Sequence, residues 1–355
     1  MKIVTILLLP FSLIYGFILH LRNKFYDWNI FKSSTFNFPT IAVGNLAIGG
    51  TGKTPHIEYL ICLLNKEYKV ATLSRGYKRE TKGFYLSDNN SNVASIGDEP
   101  LQYKLKFSNL LVAVDEKRVN GIKRIKEIHP ETNIILLDDA YQHRALKPGI
   151  NILITDYRKL YVNDRVLPSG KLREWSFGSD RADIIVVSKT DNTLSLIERE
   201  NLKKRLNAKP HQKIYFSYIK YGEITPFTHS SKILKLKIKN LFNVLLVTGI
   251  ANPNHLFNHL NDVFPSVTNV KFSDHHNYTN KDVISIKEKF NTLHGNNKII
   301  ITTEKDIMRL SLPRILNQLQ EVPIFYIPIE ICFHGTDKQE FDNQIMKYVT
   351  KNSRN

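Results

Sequence analysis

The strongest chemical signature in the chain is a glycine-rich segment, residues 47–54, with the sequence AIGGTGKT. Glycines let backbone N–H groups point inward around phosphate oxygens, and the N-terminus of a following helix adds a favourable dipole. In such a loop the lysine, here Lys53, reaches the β- and γ-phosphates, and the hydroxyl of Thr54 binds Mg²⁺. The motif normally begins with glycine, whereas this chain has alanine. The predicted nucleotide-binding residues are Ala47, Ile48, Gly49, Gly50, Thr51, Gly52, Lys53 and Thr54.

Two carboxylates at the end of an apolar run are the second candidate for phosphate chemistry. Residues 133–137 (NIILL) predict a buried strand, and Asp138 and Asp139 follow it directly. An acidic strand end opposite a phosphate-binding loop holds the Mg²⁺ ion of a bound nucleotide. We predict that Thr54, Asp138 and Asp139 bind the metal, with Asp138 as the main ligand. The alternative is that both carboxylates cap the next turn. Together the two motifs predict Mg²⁺ with ATP or GTP and leave the phosphoryl acceptor open.

The segment 186–191 (VVSKTD) bears on which nucleotide is bound. It loosely resembles the Asn-Lys-x-Asp pattern that recognises guanine, but Ser188 stands in place of the asparagine. The match keeps a GTPase as an alternative to an ATP-dependent enzyme, and competition between the two nucleotides distinguishes them.

Strand and helix patterns alternate around these motifs. Short aliphatic runs separated by helical periodicity predict βαβ units and a parallel sheet covered on both faces. The glycine-rich segment therefore lies between a strand and a helix, which is the context its chemistry requires. The predicted strands of this first series are 40–44, 69–74, 110–114, 133–137, 151–155 and 183–188, and predicted helices include 55–64 and 118–128.

A second α/β series follows. Residues 213–227 alternate aromatic and polar side chains, which predicts a β-hairpin that links two domains. The later predicted strands are 244–249, 267–272, 298–303 and 324–328, and the later helices are 254–260, 280–290 and 337–349. The predicted organisation is an N-terminal helix (1–26), a domain with the phosphate-binding loop (27–212), a linker (213–235) and a second, smaller α/β domain (236–355).

The first apolar segment, residues 3–19, is followed at once by Arg22 and Lys24. As a helix it would rise about 25 Å, less than the roughly 30 Å of a hydrocarbon core, and Pro10 interrupts it. A secretory signal would need a small-residue cleavage site, which does not follow. We predict a helix that lies in the membrane interface, with a buried core helix as the alternative. The positive flank places the next domain on the cytoplasmic side.

Composition and charge limit the class of protein. The chain has 355 residues, 42% hydrophobic and 23% charged, which fits a globular protein of about two domains. Fifty basic and 33 acidic residues give a net charge of +17, which favours a phosphorylated ligand, a membrane surface or a nucleic acid as partner. Two cysteines argue against a disulfide framework and fit a reducing compartment.

Several short blocks occur in a fixed order along the chain. They are VGNLAIGGTGKTP (43–55), SRGY (74–77), GDEP (97–100), DDAYQH (138–143), LPSGKLRE (167–174), DH (274–275) and TEKD (303–306). The ordered set resembles the tetraacyldisaccharide 4′-kinases, the lipid A 4′-kinases of Gram-negative bacteria, over most of the chain. The departures are Ala140 and Tyr141, where Gly-Phe is commoner in this family, and Lys171, where proline is commoner.

The resemblance implies a reaction, its cofactors and a fold. ATP, with Mg²⁺, would donate its γ-phosphoryl group to the 4′-hydroxyl of a tetraacylated glucosamine disaccharide 1-phosphate, giving lipid IVA in lipid A biosynthesis. The implied fold is a P-loop NTPase-like parallel-sheet domain and a second α/β domain, joined by a two-stranded linker, with the active site in the cleft between them. The implied location is the cytoplasmic face of the inner membrane, as a peripheral or monotopic protein.

The resemblance also assigns the remaining site residues. Asp98 would act as the base toward the sugar hydroxyl, although a helix cap is the alternative for this residue. His275 would pair with Asp98 from the second domain, so that domain closure assembles the base, and Lys53 completes the catalytic set. Residues 303–306 predict a helix start without an assigned role. The residues expected to contact the acceptor or the transferred group are Arg75, Tyr77, Glu99, Arg118, Gln142, Arg173 and Glu174.

Two other classes of function stay open on the sequence alone. A membrane-associated GTPase or other P-loop NTPase would hydrolyse nucleotide without a lipid acceptor. A basic nucleic-acid-binding module would explain the charge, but no such motif stands out. A lipid kinase explains the charge through an anionic membrane surface and a phosphorylated lipid. We therefore expect a lipid substrate, the inner-membrane surface, no nucleic acid and a monomer.

Overall fold

The computed structural model describes residues 2–234 and 241–353, which fall into two units. The first unit contains the residues up to Ser91, Tyr103–Lys220 and the residues from Ile331 onward, and the second contains Asn92–Gln102 and Tyr221–Glu330. The predicted domains differ from these units in two segments: the prediction assigns 92–102 to the first domain and 331–355 to the second. Apolar residues of the C-terminal segment pack in the core of the first unit instead. The predicted boundary at residues 235 and 236 lies outside the described residues.

Strands and helices occupy the following ranges. The strands are β1 (Thr40–Gly44), β2 (Val70–Ser74), β3 (Tyr85–Leu86), β4 (Leu111–Val114), β5 (Ile134–Asp138), β6 (Ile150–Asp156), β7 (Ile184–Ser188), β8 (Lys213–Tyr221), β9 (Thr225–Pro226), β10 (Asn243–Thr248), β11 (Ser266–Lys271), β12 (Lys298–Thr303), β13 (Ile324–Ile327) and β14 (Ile329–Phe333). The helices are α1 (Lys2–Leu7), α2 (Leu9–Asp27), α3 (Lys53–Leu64), α4 (Val93–Ile96), α5 (Asp98–Lys106), α6 (Arg118–Ile128), α7 (Leu196–Leu206), α8 (His229–Ile233), α9 (Asn254–Asn261), α10 (Asn280–Thr292), α11 (Glu304–Leu310), α12 (Pro313–Leu319) and α13 (Asp337–Asn352).

Nine strands of the described residues form one sheet, in the order β14-β8-β7-β6-β1-β5-β2-β4-β3. The pairings from β8 to β4 are parallel, and β3 adds an antiparallel edge. Strands β1, β2, β5 and β7 are buried along their whole length, as aliphatic strands covered on both faces should be. Because Val43 of β1 is in register with Asp138 of β5, the loops that follow these two strands start side by side. The predicted parallel sheet is confirmed.

The predicted hairpin at 213–227 is wrong. Strand β8 runs parallel to β7 and neighbours β14 in the nine-stranded sheet. Strand β9 instead pairs antiparallel with β13 in another sheet. The alternating side chains correctly predicted extended backbone, but the partner strands lie elsewhere in the chain and local alternation carries no information about them.

The second unit is built around a sheet with the strand order β11-β10-β12-β13-β9 among the described residues. Strands β10 to β13 pair in parallel, and apolar side chains cover both faces of the sheet. The predicted strand 298–303 is confirmed as β12. Thr303 then caps α11 by accepting a hydrogen bond from the backbone N–H of Asp306, so the predicted helix start is also confirmed.

The N-terminal helix α2 has an unusual distribution of polarity. Helix α1 ends at Leu7 and Pro10 lies in the first turn of α2, so the proline coincides with the predicted interruption. The buried positions of α2 are Ser12, Gly16 and Asn23. Its large apolar side chains instead face outward, with 59–64% of their surface exposed at Phe11, Ile14, Phe17 and Ile18. Within the described residues, no helix combines the length and the apolar character that crossing a membrane requires.

Candidate active site

The glycine-rich segment forms the loop between β1 and α3. Its curvature depends on Gly49 and Gly52, whose φ angles are +108° and +94°, a region that other residues rarely adopt. A Cβ at Gly49 would meet no atom within 4 Å, so backbone conformation rather than crowding requires this glycine. Lys53 and Thr54 occupy the first turn of α3, where the helix N-terminus favours an anion. The loop thus has the conformation of a phosphate cradle.

Side chains at the end of β7 brace this loop. The hydroxyl of Ser188 donates to the carbonyl oxygen of Thr51 at 2.7 Å. The ammonium of Lys189 donates to the carbonyl oxygen of Gly50 and, at 3.0 Å, to Oδ2 of Asp156. The sequence of this segment predicts only a poor guanine-recognition motif and does not indicate its supporting role. The signal in the sequence was that this segment ends the predicted strand 183–188.

A buried histidine on α3 also supports the loop. Nδ1 of His56 lies 2.7 Å from the carbonyl oxygen of Gly52, and because a carbonyl only accepts, Nδ1 carries the proton. Nε2 accepts from the hydroxyl of Ser217 at 3.0 Å. Burial lowers the pKa of His56 to about 4, so its imidazole is a neutral donor at neutral pH.

The ammonium of Lys53 is directed toward the end of β5. Its Nζ lies 3.6 Å from Oδ1 of Asp139 and 3.4 Å from Oδ1 of Asn45. Arg173 contacts both carboxylate oxygens of Asp139 at 3.0 Å. Burial alone would raise the pKa of Asp139, but Lys53 and Arg173 lower it below its usual range. Asp139 is therefore ionised, and it holds the left-handed φ of +49°.

Asp138 is buried, with 1% of its surface exposed, and Tyr103 donates to its Oδ2 at 2.9 Å. Arg118 anchors the same strand end, with Nη1 on the carbonyl oxygen of Asp115 at 2.7 Å and Nη2 on that of Asp138 at 3.5 Å. Burial lowers the pKa of Arg118 to about 10, which leaves it a cation.

Carboxylate and hydroxyl oxygens suit Mg²⁺, which takes one or two carboxylates and otherwise binds water and phosphate. In the part of the chain that the structure describes, no cluster of three His, Cys, Asp or Glu side chains could hold a metal ion.

Gln142 and Glu174, which were predicted to contact a sugar, lie in an internal network. The amide of Gln142 donates to the carbonyl oxygen of Asn45 at 2.9 Å and to Glu174 at 3.1 Å. Glu174 is 2% exposed and also accepts from Arg181 and, at 2.8 Å, from Asn23 of α2. The network therefore connects α2 to the residue that follows β1.

Arg75 and Tyr77 lie in the loop after β2, and both side chains are exposed. This loop follows the strand next to β5 in the sheet. Of the predicted recognition residues of the first unit, these two are the most accessible to a ligand.

A carboxylate and an imidazole form a pair within the second unit. Oδ2 of Asp98 lies 2.9 Å from Nδ1 of His275, and Asp98 is 4% exposed. Both residues belong to the second unit, so the prediction that they lie in different domains is wrong. Burial alone would raise the pKa of Asp98, but His275 and the cations of Lys305 and Arg309 hold it well below its usual range. Lys305 and Arg309 were missed, because no local pattern relates them to Asp98.

Two neighbours of this pair have other contacts. Oε1 of Glu99 lies 3.2 Å from the ammonium of Lys305. His276 lies 3.0 Å from Asp282, so it does not share the contact of His275 with Asp98.

The loop between β1 and α3, with Lys53 directed at an acidic strand end, defines a P-loop enzyme of phosphoryl transfer. The family model described as LpxK, tetraacyldisaccharide-1-P 4′-kinase, matches residues 4–350. The chain belongs to this family of tetraacyldisaccharide 4′-kinases.

Individual relatives agree with this assignment. The chain is 44% identical over 351 residues to a tetraacyldisaccharide 4′-kinase from Phocaeicola vulgatus, and the match covers 98% of this chain and 96% of the relative. It is 43% identical over 352 residues to the enzyme of that name from Flavobacterium johnsoniae, with 99% of each chain covered. LpxK from Aquifex aeolicus, crystallised in complex with ATP, is 25% identical with a TM-score of 0.73 over 98% of this chain and 99% of the other. The predicted family and ATP-dependent kinase activity in lipid A biosynthesis are confirmed.

Proposed function

We propose that the chain transfers the γ-phosphoryl group of ATP to the 4′-hydroxyl of a tetraacylated glucosamine disaccharide 1-phosphate, giving lipid IVA and ADP. The observation that carries the proposal is the position of Lys53, in the first turn of α3 with its ammonium 3.6 Å from Asp139 at the end of β5. A cation between a phosphate cradle and an acidic strand end is the arrangement that a bound nucleoside triphosphate needs.

The triphosphate would lie along residues 47–54. Backbone N–H groups of the loop and the N-terminus of α3 bind its oxygens, and Lys53 neutralises the β- and γ-phosphates. The braces from Ser188 and Lys189 keep the loop in place before nucleotide binds. Preorganised donors of this kind need no rearrangement during the reaction.

The oxygen donors near Lys53 fit Mg²⁺. Thr54, Asp138 and Asp139 would hold the ion, which when bound neutralises charge on the β- and γ-phosphates. Lys53 and Arg173 keep Asp139 ionised, and Tyr103 fixes one oxygen of Asp138.

Asp98 would accept the proton of the acceptor hydroxyl. The sugar oxygen then forms its bond to the γ-phosphorus while the bond to the bridging oxygen breaks, and ADP leaves with that oxygen. His275 contacts Asp98 through Nδ1 and orients its carboxylate. The depressed pKa of Asp98 keeps the carboxylate ionised at neutral pH, as a proton acceptor must be.

Recognition of the acceptor is divided between exposed and buried side chains. Arg75 and Tyr77 are exposed and would meet the acceptor directly. Arg173, which contacts Asp139 at the end of β5, would also contact the transferred phosphoryl group. Glu99 follows Asp98 in the chain and would contact the acceptor there. Arg118, Gln142 and Glu174 would act mainly by holding the strand end and α2 in place.

We propose that α2 binds the cytoplasmic face of the inner membrane as a peripheral or monotopic element. Its small and polar residues face the protein and its apolar residues face outward, which is the reverse of a core helix. Lys24 follows the apolar residues with 42% of its side chain exposed and would meet anionic headgroups, whereas Arg22 donates to the carbonyl oxygen of Gln142. This location presents the enzyme to a lipid acceptor.

The decisive assay combines the full chain, labelled ATP, Mg²⁺, detergent and the disaccharide 1-phosphate. We expect label in the lipid, and a loss of about a hundredfold or more with Lys53→Ala. Lys66→Ala, an exposed lysine after α3, is the matched control and should retain activity. Release of inorganic phosphate without label in the lipid would support a hydrolase instead, and such release with a strong preference for GTP over ATP would support the GTPase alternative.

A further inference from the structure

Two cations from one helix face surround the Asp98–His275 pair. Lys305 and Arg309 are four residues apart on α11 and therefore lie on the same face. Nζ of Lys305 is 3.1 Å from Nε2 of His275, and Arg309 donates to Oδ2 of Asp98. The helix that follows the TEKD segment thus contacts both members of the pair.

The hydrogen bonds determine the tautomer of His275. An ammonium group has only donors, so Nε2 of His275 accepts from Lys305 and the ring proton is on Nδ1. The carboxylate of Asp98 only accepts, and Nδ1 donates to it at 2.9 Å. The three side chains form a chain of hydrogen bonds in which Lys305 donates to His275 and His275 donates to Asp98, so the imidazole is held from both sides.

Arg309 is itself firmly placed. Its side chain is 2% exposed, and Nη1 donates to the carbonyl oxygen of Gly249 and to Oδ1 of Asp306, each at 3.2 Å. Asp306 is fully buried and also accepts from the backbone N–H of Gly249 and from the hydroxyl of Tyr278. The guanidinium therefore presents a fixed donor and a fixed charge to Asp98.

We infer that Lys305 and Arg309 are positioning residues of the transfer reaction: Lys305 fixes the ring and tautomer of His275, and Arg309 fixes the carboxylate of Asp98 in its proton-accepting orientation. The inference rests on the proposed role of Asp98. It assigns a function to the TEKD segment, which carries Lys305 and the anchor Asp306.

The charges around the pair support this role. Asp98 faces His275, Lys305 and Arg309, while Lys305 also faces Glu99, and Asp274 lies 3.9 Å from Nε2 of His275. Burial would lower the pKa of Lys305, but Glu99, Asp98 and Asp274 raise it above its usual value, so it stays a cation. Removing a cation from this cluster raises the pKa of Asp98. The pH below which kcat/KM declines, the acidic limb of the pH profile, should therefore move to higher pH.

The first test is the pH dependence of kcat/KM for Lys305→Met in the full chain. We expect kcat to fall by about ten- to a hundredfold, the KM for ATP to stay within about twofold, and the acidic limb to shift to higher pH. Lys305→Arg should restore most of kcat. Lys289→Met on α10, an exposed lysine, is the matched control. A fall in kcat with the limb unmoved and no rescue by arginine would overturn the positioning role.

A double-mutant cycle tests whether Lys305 acts through His275. In a His275→Ala background, Lys305→Met should cost less than about twofold, because its target is gone. Two effects that multiply fully would contradict the inference.

Arg309→Lys, which keeps the buried charge, should shift the acidic limb of the pH–activity profile less than Arg309→Met does. Thermal unfolding of both variants checks that they fold. Equal shifts would contradict the role of Arg309.

Asp98→Asn separates this inference from the proposed function. If Asp98→Asn retains kcat, the proposed base is wrong and the role of its neighbours fails with it. If Asp98→Asn is inactive but the cycle is fully multiplicative, only the positioning role fails.

Discussion

The hydroxyl of Tyr103 lies 2.9 Å from Oδ2 of Asp138, and both side chains are buried. The phenol donates to a carboxylate that is the main predicted Mg²⁺ ligand, so it fixes which way that oxygen points. The sequence alone does not indicate Tyr103, because its contact with β5 exists only after the chain folds.

Tyr103→Phe removes the hydrogen bond that orients the carboxylate of Asp138 and should therefore weaken Mg²⁺ binding. We expect the Mg²⁺ concentration for half-maximal activity to rise by about tenfold, and the free energy of unfolding to fall by about 1.5–3 kcal/mol. Activity measured against Mg²⁺ concentration and chemical denaturation provide the two readouts. Tyr215→Phe removes a comparable hydrogen bond, to Gln344 at 2.7 Å, and should affect stability without changing the Mg²⁺ requirement. An unchanged requirement in Tyr103→Phe would contradict the orienting role.

Lys189→Met should loosen the phosphate-binding loop. Its ammonium holds the carbonyl oxygen of Gly50, and a hydrogen bond of a charged group contributes about 1.5–3 kcal/mol. We expect the Kd for ATP, measured by calorimetry, to rise by about tenfold or more. Lys203→Met, which removes an exposed pair with Glu200, should leave the Kd unchanged. Equal affinities of the two variants would show that the brace is dispensable.

The stability of the protein should fall as pH is lowered from about 6.5 to about 4, in part because of His143. Burial, with the cations of Arg118 and Arg22, lowers the pKa of His143 from 6.5 to about 4. The unfolded chain therefore binds the proton first, so the stabilisation is present above pH 6.5 and is lost as pH falls toward 4. The contribution is at most about 3 kcal/mol.

His143→Gln tests this linkage. Thermal unfolding between pH 4 and 7 should show a shallower fall in Tm for this variant than for the parent. His211→Gln, at an exposed position, should keep the parent slope. A parental slope in His143→Gln would mean that other groups produce the acid sensitivity.

Ile14→Glu with Ile18→Glu should weaken binding to vesicles that contain anionic phospholipid. Each exposed side chain offers about 1.5–3 kcal/mol on burial, so sedimentation with vesicles should show a loss of about tenfold or more. The matched control is Leu196→Glu with Ile197→Glu on α7, whose side chains are 74% and 76% exposed. A similar loss in the control pair would remove the special role of α2.

Elements with strong local patterns were predicted well. Strands β1 and β12 and helix α6 have the predicted bounds, because continuous apolar runs and helical periodicity are properties of neighbouring residues. The phosphate-binding loop was predicted for the same reason, since its glycines and Lys53 are adjacent in sequence. The paired acids after β5 were also local.

Features that depend on distant partners were predicted poorly. The pairing of β8 with β7 and β14 rather than with β9 is set by strands far away in the chain. The contact of Arg309 with Asp98 joins residues separated by 211 positions, and no spacing rule reaches that far. The apolar exterior of α2 was expected, but the polar contacts of Asn23 on its inner side were not.

The left-handed backbone of Asp139 restricts which replacements can be interpreted. At a φ of +49°, asparagine and glycine fit with little penalty, whereas alanine or a branched side chain adds conformational strain. An alanine scan would therefore confuse a lost charge with a distorted turn at this position. Asp139→Asn is the cleaner probe, and natural variation at this site should be confined to the few residue types that tolerate such a bend.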